Sequence, residues 1–293
     1  MNSNFSPLKT SSPNLRNDNS NTDNQHLSPR SMNSSRARNR NGKVNSQSAC
    51  TNKRNNSSVV YDLPEKRHLR ILSVNCQRIT NKKAEFEAAI NYIKPDIICG
   101  TESWLNSNIK SSEVFPTNFT VYRKDRSRLG GGVFLLIRNE LISTEEKDLT
   151  AECESVWARI KLQNSKDLIV GSFYMPHRNK KDISELEKIL SVLSNKPNQK
   201  HSILTGDFNC PDICWDTGTV RPSAPERNIQ QDLVDITTNA NLTQMHTEST
   251  REKALLDLVF TSNPTLLRNS ISVPGIADHD MIVSDIDTKP VFV

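Results

Sequence analysis

Short apolar runs alternate with longer amphipathic stretches along most of the chain beyond residue 70. Ile71, Leu72 and Val74 form a β-type run, and Ala84 to Ile93 predicts a helix with Phe86, Ala89, Ile90 and Ile93 on one face. Pro95 stops that helix, since proline cannot continue the hydrogen-bond ladder. Asp96-Ile97-Ile98-Cys99-Gly100 follows as a buried strand, then Val133 to Ile137, Ser155 to Ile160 and Leu168 to Phe173. Ile183 to Leu193 predicts a second helix with Leu186, Ile189, Leu190 and Leu193 inward. His201 to Thr205 is a strand ending in a sharp turn, and Asn228 to Ala240 a third helix. Leu255 to Thr261, Ser270 to Val273 and Met281 to Asp285 are late strands. Strands and helices mixed over ~220 residues predict one α/β domain with a well-buried core and no room for a second folded domain. No repeat of solenoid length is visible.

The first 65 residues differ in kind. They lack apolar periodicity, and 27 of the first 58 positions are Asn or Ser. Such a segment cannot bury enough surface to offset the entropy of ordering, so 1–65 is expected to be a disordered tail and 66–293 the folded domain. Nine Lys or Arg against two Asp give the first 58 residues a charge of +7, and the rest carries −2, so the overall +5 belongs to the tail. Arg36, Arg38, Arg40, Lys43, Lys53 and Arg54 concentrate that charge near the domain. They suit a weak, salt-sensitive nucleic-acid arm, or a solvated leader without a role. No apolar run nears the ~20 residues that span a bilayer, so no membrane partner is expected. The first residues hold no apolar signal core, which points to an intracellular protein, nuclear or cytoplasmic, and not a secreted one. Six scattered cysteines do not make a disulfide framework, and Cys210 and Cys214 lack the second pair a zinc site needs. Reduced thiols are expected.

Polar residues gather where strands end. Asn75 follows the first strand, Glu102 the second, Tyr174 the strand through Phe173, and Asp207 with Asn209 the strand through Thr205. Asp257 falls within a late strand, and Asp278 and His279 precede the last. Each alone reads as a turn, a cap, a packing aromatic or an ordinary histidine. Together they read as a site, because α/β proteins gather functional groups at one edge of a sheet.

The strings Val74-Asn75, Thr101-Glu102-Ser103-Trp104, Tyr174-Met175-Pro176, Gly206-Asp207-Phe208-Asn209, Leu256-Asp257-Leu258 and Ala277-Asp278-His279-Asp280 resemble, in order and spacing, the endonuclease/exonuclease/phosphatase superfamily. The resemblance runs from about Leu69 to Ile286, some three-quarters of the chain. Within the superfamily, TESWL, RLGGGVFLLIR, GDFNCPDICW and ALLDLVFT, with a short loop into ADHDMIV, look most like the apurinic-type endonuclease domain of non-LTR retrotransposons. The resemblance implies a DNase I-like, four-layer α-β-β-α sandwich of two packed mixed β-sheets flanked by helices. It also implies a metal-dependent endonuclease that hydrolyses DNA phosphodiester bonds to leave a 3′-hydroxyl, the primer a retroelement extends at its target site. Double-stranded DNA is then the partner, together with a reverse transcriptase absent from this chain.

Such an enzyme must supply much of ~20 kcal/mol or more of transition-state stabilisation. A hard cation on oxygen ligands neutralises charge, and Mg²⁺ typically takes one or two carboxylates plus waters. The matching positions imply Mg²⁺, or Mn²⁺ in its place, on Glu102, with Asn75 giving an amide oxygen or a phosphate contact and Asp278 near the metal or its water shell. They imply that Asp207 orients and deprotonates the attacking water, that Asn209 holds the developing oxyanion, and that Tyr174 donates to the scissile phosphate. His279 donates to a nonbridging phosphate oxygen, oriented by Asp257, whose charge favours the imidazolium. Gly206 is expected to permit a tight turn, and the i, i+2 spacing to point Asp207 and Asn209 to one side.

Two positions depart from the common pattern: Gln77 stands where a small residue or Asp is usual, and Ala277 replaces a Ser before Asp278. Neither removes a core catalytic group. Arg123, Lys124, Arg126 and Arg128 cluster before Gly130-Gly131-Gly132, either as DNA contacts or as a solvated hairpin loop, with DNA contact the better reading because the resemblance places this loop near the groove-binding surface. Arg251 touches DNA backbone or is merely solvated. Because one superfamily serves many substrates, two other readings stay open: a phosphatase or phosphodiesterase on a small phosphorylated substrate, and a catalytically silent DNA-binding module.

Overall fold

The computed structural model describes residues 63–66, 69–126, 129–195 and 200–293. Nearly all of the tail expected over 1–65 lies outside the described residues. The first half of the domain runs β1 (Leu69–Asn75), α1 (Lys83–Ile93), β2 (Ile97–Thr101), α2 (Ser111–Val114), β3 (Phe119–Lys124), β4 (Val133–Arg138), β5 (Ser143–Glu145) and β6 (Glu154–Ile160). The second half opens with β7 (Asp167–Tyr174), α3 (Lys180–Ser194), β8 (Lys200–Asp207) and a small ribbon of β9 (Ile213–Cys214) and β10 (Thr219–Val220). It continues with α4 (Arg227–Asn239), β11 (Thr243–Gln244), β12 (Asp257–Thr261), β13 (Leu267–Val273) and β14 (Met281–Ile286).

One six-stranded sheet has the order β13-β14-β1-β2-β4-β3 and the other β11-β12-β8-β7-β6-β5. Each holds one parallel pair at its centre, β1 with β2 and β7 with β8, bridged by α1 and α3. The flanking pairs are antiparallel. The two halves thus repeat one topology, and each sends its last two strands into the other half's sheet: β5 and β6 beside β7, β13 and β14 beside β1.

Alternation along the strands sorts the core into three layers. Leu69, Ile71, Ile97, Cys99, Val133 and Leu135 of one sheet meet Val156, Ala158, Leu168, Val170, Ile203 and Val259 of the other. Leu72, Val74, Ile98, Phe134 and Leu136 face outward onto Phe86, Ile90 and Ile93 of α1. Ile169, Phe173, Leu204, Leu258 and Phe260 face the opposite way, onto Ile183, Leu186 and Leu190 of α3 and Leu233 of α4. The expected four-layer α-β-β-α sandwich is the one observed. α1 ends at Lys94, in the left-handed conformation with φ 53° just before Pro95, and α3 begins at Asn179, whose side chain accepts the Asp182 N–H.

β3 departs from expectation. Arg123 and Lys124, read as loop residues, lie in this edge strand opposite Phe134 and Val133, because Phe-Thr-Val-Tyr-Arg-Lys buries too few side chains to show an apolar run. β5, β9, β10 and β11, of two or three residues each, are too short to carry a period.

Arg70 fastens the fold at the end where β1 begins. Its guanidinium bonds both Asp285 oxygens on β14 (2.7 and 2.9 Å), the Ile93 carbonyl and the Pro64 carbonyl. Both charges are buried, so truncating one strands the other. Arg70→Met is expected to cost about 3–5 kcal/mol in urea unfolding; a loss below about 1 kcal/mol would show that Asp285 is satisfied by Asn269 alone.

Candidate active site

At one end of the inter-sheet layer, the inward-facing positions change from apolar to polar. Ile71 is followed on that face by Ser73 and Asn75, Val170 by Ser172 and Tyr174, and Ile203 by Thr205 and Asp207. Tyr174, Asp207 and Asp257 are register partners across β7, β8 and β12. Asn75 is the register partner of Thr101, with Glu102 next in the chain, and His279 stands two residues before β14. Asn75 joins the sheets: its amide nitrogen donates to Glu102 Oε1 (3.0 Å) and to Asp207 Oδ2 (3.1 Å), while its oxygen accepts the Gln77 N–H (3.1 Å).

Glu102 sits in an unusual turn. Glu102 and Trp104 adopt φ of 50° and 54°, which side-chain-bearing residues seldom take. Neighbouring backbone holds them there: Arg78 and Ile79 donate to the carbonyls of Glu102 and Ser103, and Ser103 and Trp104 donate to those of Gly132 and Gly131. A Cβ on Gly132 would lie 2.5 Å from Ser103 Oγ, so this approach requires glycine. The turn lets Trp104 Nε1 donate to Glu102 Oε2 (3.3 Å). Glu102 is therefore held by two neutral side-chain donors and, among the described residues, by no cationic side chain.

Asp207, Asp257 and His279 are buried together, with ligand-type atoms within 4.8 Å of one another. His279 Nδ1 lies 2.7 Å from Asp257 Oδ2. Burial disfavours the charged ring, yet the Asp257 hydrogen bond and charge, with Asp207 and Asp278 behind them, raise its pKa to about 9. Burial and the Asp257 charge push the Asp207 carboxyl well above the usual range, against the opposing pull of His279. Burial, with the charges of Glu102 and Asp207, keeps the Tyr174 phenol protonated.

Asn209 reaches its place by a different route from the one expected. The strand ends at Asp207, and Asn209 lies beyond it with φ 51°, so alternation does not set its side chain. Its amide donates to the Met175 carbonyl (2.9 Å), its N–H to Asp207 Oδ1 (3.1 Å), and its carbonyl accepts from Arg178 (2.8 Å). Gly206 makes no turn. It lies within β8, where a Cβ would sit 2.0 Å from the Phe173 carbonyl oxygen.

The remaining candidates are spread more widely. Asp278 stands apart from the buried cluster, half-exposed and 2.7 Å from Arg251 Nη2. Arg123 is turned onto the carbonyls of Ile109 (2.6 Å) and Asn106, a structural clamp. Arg126 leans over the Tyr174 ring, 5.9 Å from its centroid, and pairs with Glu154 (2.7 Å), which also accepts the Gly132 N–H. Arg128 lies outside the described residues. Sequence reasoning assigned no role to Trp104, Glu154 or Arg178. Trp104 stood inside a quoted motif, but its bond depends on left-handed backbone at residues that do not announce it.

Residues 168–283 match the sequence model of the family described as endonuclease-reverse transcriptase. No curated protein matches the chain. Among solved structures it is similar to the endonuclease domain of TRAS1, a telomere-specific non-LTR retrotransposon, with TM-score 0.58 and 16% identity, covering 74% of this chain and 98% of that one. It is also similar to the catalytic domain of Xenopus laevis APE2, with TM-score 0.54 and 15% identity over 77% of this chain and 94% of that one. A third is the 3′ phosphatase NExo from Neisseria bound to product DNA hairpin, with TM-score 0.54 and 12% identity over 75% and 99%. The two-sheet fold is of the class that these solved structures share. Within that class, the segment from β7 into β14 carries the endonuclease-reverse transcriptase pattern, in line with the resemblance read from the motifs.

His279 is expected to titrate at about 9 in proton–nitrogen spectra of the substrate-free protein. With the folded pKa above the unfolded one, its contribution to stability is complete below about pH 6.5 and is lost as pH rises through about 9. Asp257→Asn is expected to bring that titration below about pH 8; a midpoint left near 9 would mean that Asp257 does not hold the ring charged.

Proposed function

We propose that this protein is a Mg²⁺-dependent endonuclease that nicks double-stranded DNA and leaves a 3′-hydroxyl, the activity a retrotransposon uses at its target site. The observation that carries the reading is the meeting of Asn75, Glu102, Tyr174, Asp207, Asp257 and His279 at the polar end of one inter-sheet layer. The donor set suits a hard cation: among the described residues the Glu102 carboxylate has only neutral partners, and Asp207 approaches from the other sheet through the same Asn75 amide. Glu102 would hold the cation, with Asp207 beside it. Asp278, engaged by Arg251, is less suited than the sequence suggested. His279 and Asp257 are committed to each other. When bound, a divalent ion neutralises charge on the phosphate and on the leaving oxygen.

The chain's own groups supply the rest. Asp207, its pKa raised by burial, is a fit general base for the attacking water: the water's oxygen bonds to phosphorus, its proton passes to the carboxylate, and the bond to O3′ breaks, the oxygen leaving with the electron pair and taking a proton from solvent to become the 3′-hydroxyl. The His279 imidazolium and the protonated Tyr174 phenol donate to the phosphoryl oxygens, where negative charge grows. Asn209 stands at the same edge and restrains Asp207 through its backbone N–H. DNA as substrate agrees with the structural likenesses, one of which is bound to a product DNA hairpin.

Conversion of supercoiled plasmid to open circle is expected with Mg²⁺ and not in chelator, with 3′-hydroxyl ends at the nicks. Asp207→Asn should lower the rate by about 10²–10⁴-fold with folding intact. Turnover of a small phosphorylated substrate without nicking would favour a phosphatase, and DNA retention without cleavage a silent binding module. Arg126→Ala should reduce the slope of log affinity against log salt by about 0.9, the effect of leaving one phosphate without its neutralising cation; an unchanged slope would confine Arg126 to packing over Tyr174.

A further inference from the structure

Asp257 and His279 belong to different sheets. Asp257 begins β12 in one, and His279 precedes β14 in the other, so no strand ladder sets the distance between them. Their 2.7 Å bond crosses the sandwich. The loop between β11 and β12 spans the same gap. Thr250, within it, is fully buried, and its hydroxyl accepts the N–H groups of Leu256 and of Asp257 itself, both at 3.1 Å. Its carbonyl accepts the N–H of Asp280, one residue after His279, at 2.6 Å. One residue therefore holds the backbone on both sides of the pair.

The rest of the loop is braced to match. Arg251 forms an isolated bridge with Ala254 and reaches Asp278 on the far side of His279. Upstream, the His246 ring lies 3.0 Å from both Ser270 Oγ and Ser272 Oγ on β13, and Glu248 accepts the Ser272 N–H. The loop bearing His279 is folded tightly on itself, since a Cβ on Gly275 would lie 1.7 Å from the His279 carbonyl oxygen. It packs as a unit, and that unit is gripped at Asp278 and Asp280.

We propose that Thr250 is a positioning residue that clasps Asp257 to His279 across the two sheets, with Arg251 as the outer arm of the clasp. The clasp deepens the endonuclease reading and rests on it for its effect on rate. Because the distance from Asp257 to His279 decides whether the ring is oriented and charged, the hydroxyl of Thr250 acts on catalysis without touching substrate.

The test compares Thr250→Val, which keeps shape and removes the hydroxyl, with Thr250→Ser, which keeps the hydroxyl, in the full chain. The first readout is the low-field proton resonance of the His279 Nδ1–H bonded to Asp257, recorded without metal or DNA; the second is nicking kinetics. Thr250→Val is expected to lose the resonance and to lower kcat by about ten- to a hundredfold with KM kept. Thr250→Ser is expected to restore both. A Thr250→Val protein with the resonance and kcat of the wild type would overturn the clasp. Should that variant not fold, Arg251→Met at the half-exposed outer arm carries the test: a weakened resonance and lowered kcat support the clasp, and unchanged values overturn it. A wild-type protein that shows the resonance yet never nicks would sink the endonuclease reading, while loss of the resonance in Thr250→Val would still support the clasp.

Discussion

The alternation of side chains along a pleated strand governs this molecule. On β8 the inner face reads Ile203, Thr205, Asp207, and on β1 it reads Leu69, Ile71, Ser73, Asn75. The positions that build the apolar contact between the sheets therefore run directly into the polar positions of the candidate site. Asp207 inherits burial from the core beneath it, and that burial favours its neutral form. The imidazolium of His279 offsets part of that charge, and the Asn75 amide bridges the carboxylates on the two sheets. A single positive ring among Glu102, Asp207 and Asp257 leaves an excess of negative charge that a divalent cation would offset.

The exchange of terminal strands between the halves explains why the site needs the whole domain. Asn75 and Glu102 come from the first half and Tyr174, Asp207, Asp257 and His279 from the second. His279 reaches the site only because β14 crosses to pair with β1. Fastenings such as Arg70 with Asp285, on that same strand pair, hold the far end of the sandwich and so bear on the site at a distance. The Asn75 bond to Asp207 and the His279 bond to Asp257 are both contacts between sheets, sensitive to any sliding of one against the other.

Much of the fold was legible because its central strands are buried on both faces and its helices carry one apolar stripe. β1, β2, β4, β6, β7, β8 and the three longer helices fall within a few residues of their predicted places. β3 was missed because an edge strand ending in Arg123 and Lys124 looks polar. Asn75, Glu102, Tyr174, Asp207, Asp257 and His279 were legible as polar interruptions at strand ends, and the structure brings them together. The supports around them were not. Trp104 acts through left-handed backbone set by Gly131 and Gly132 some 30 residues away, and Thr250 through hydrogen bonds to backbone that any sequence would provide. A side chain whose partners are main-chain groups leaves no pairing signal in a single sequence.

The same distinction bears on how a domain whose 29 basic and 29 acidic residues cancel over 66–293 would meet a polyanion. The basic residues before the three glycines look in sequence like a phosphate-binding run, but two of them are occupied within the fold. Arg123 holds the carbonyls of Asn106 and Ile109, and Lys124 holds those of Ala151 and Cys153. Arg126 remains half-exposed over Tyr174, at the edge of the site. At the site itself, the donors are an imidazolium, a phenol and amides in a buried setting, where each hydrogen bond is stronger than on a solvated basic face. Recognition of a phosphodiester would then depend on a few desolvated donors fixed by the meeting of two sheets, with one arginine reaching toward it from the rim.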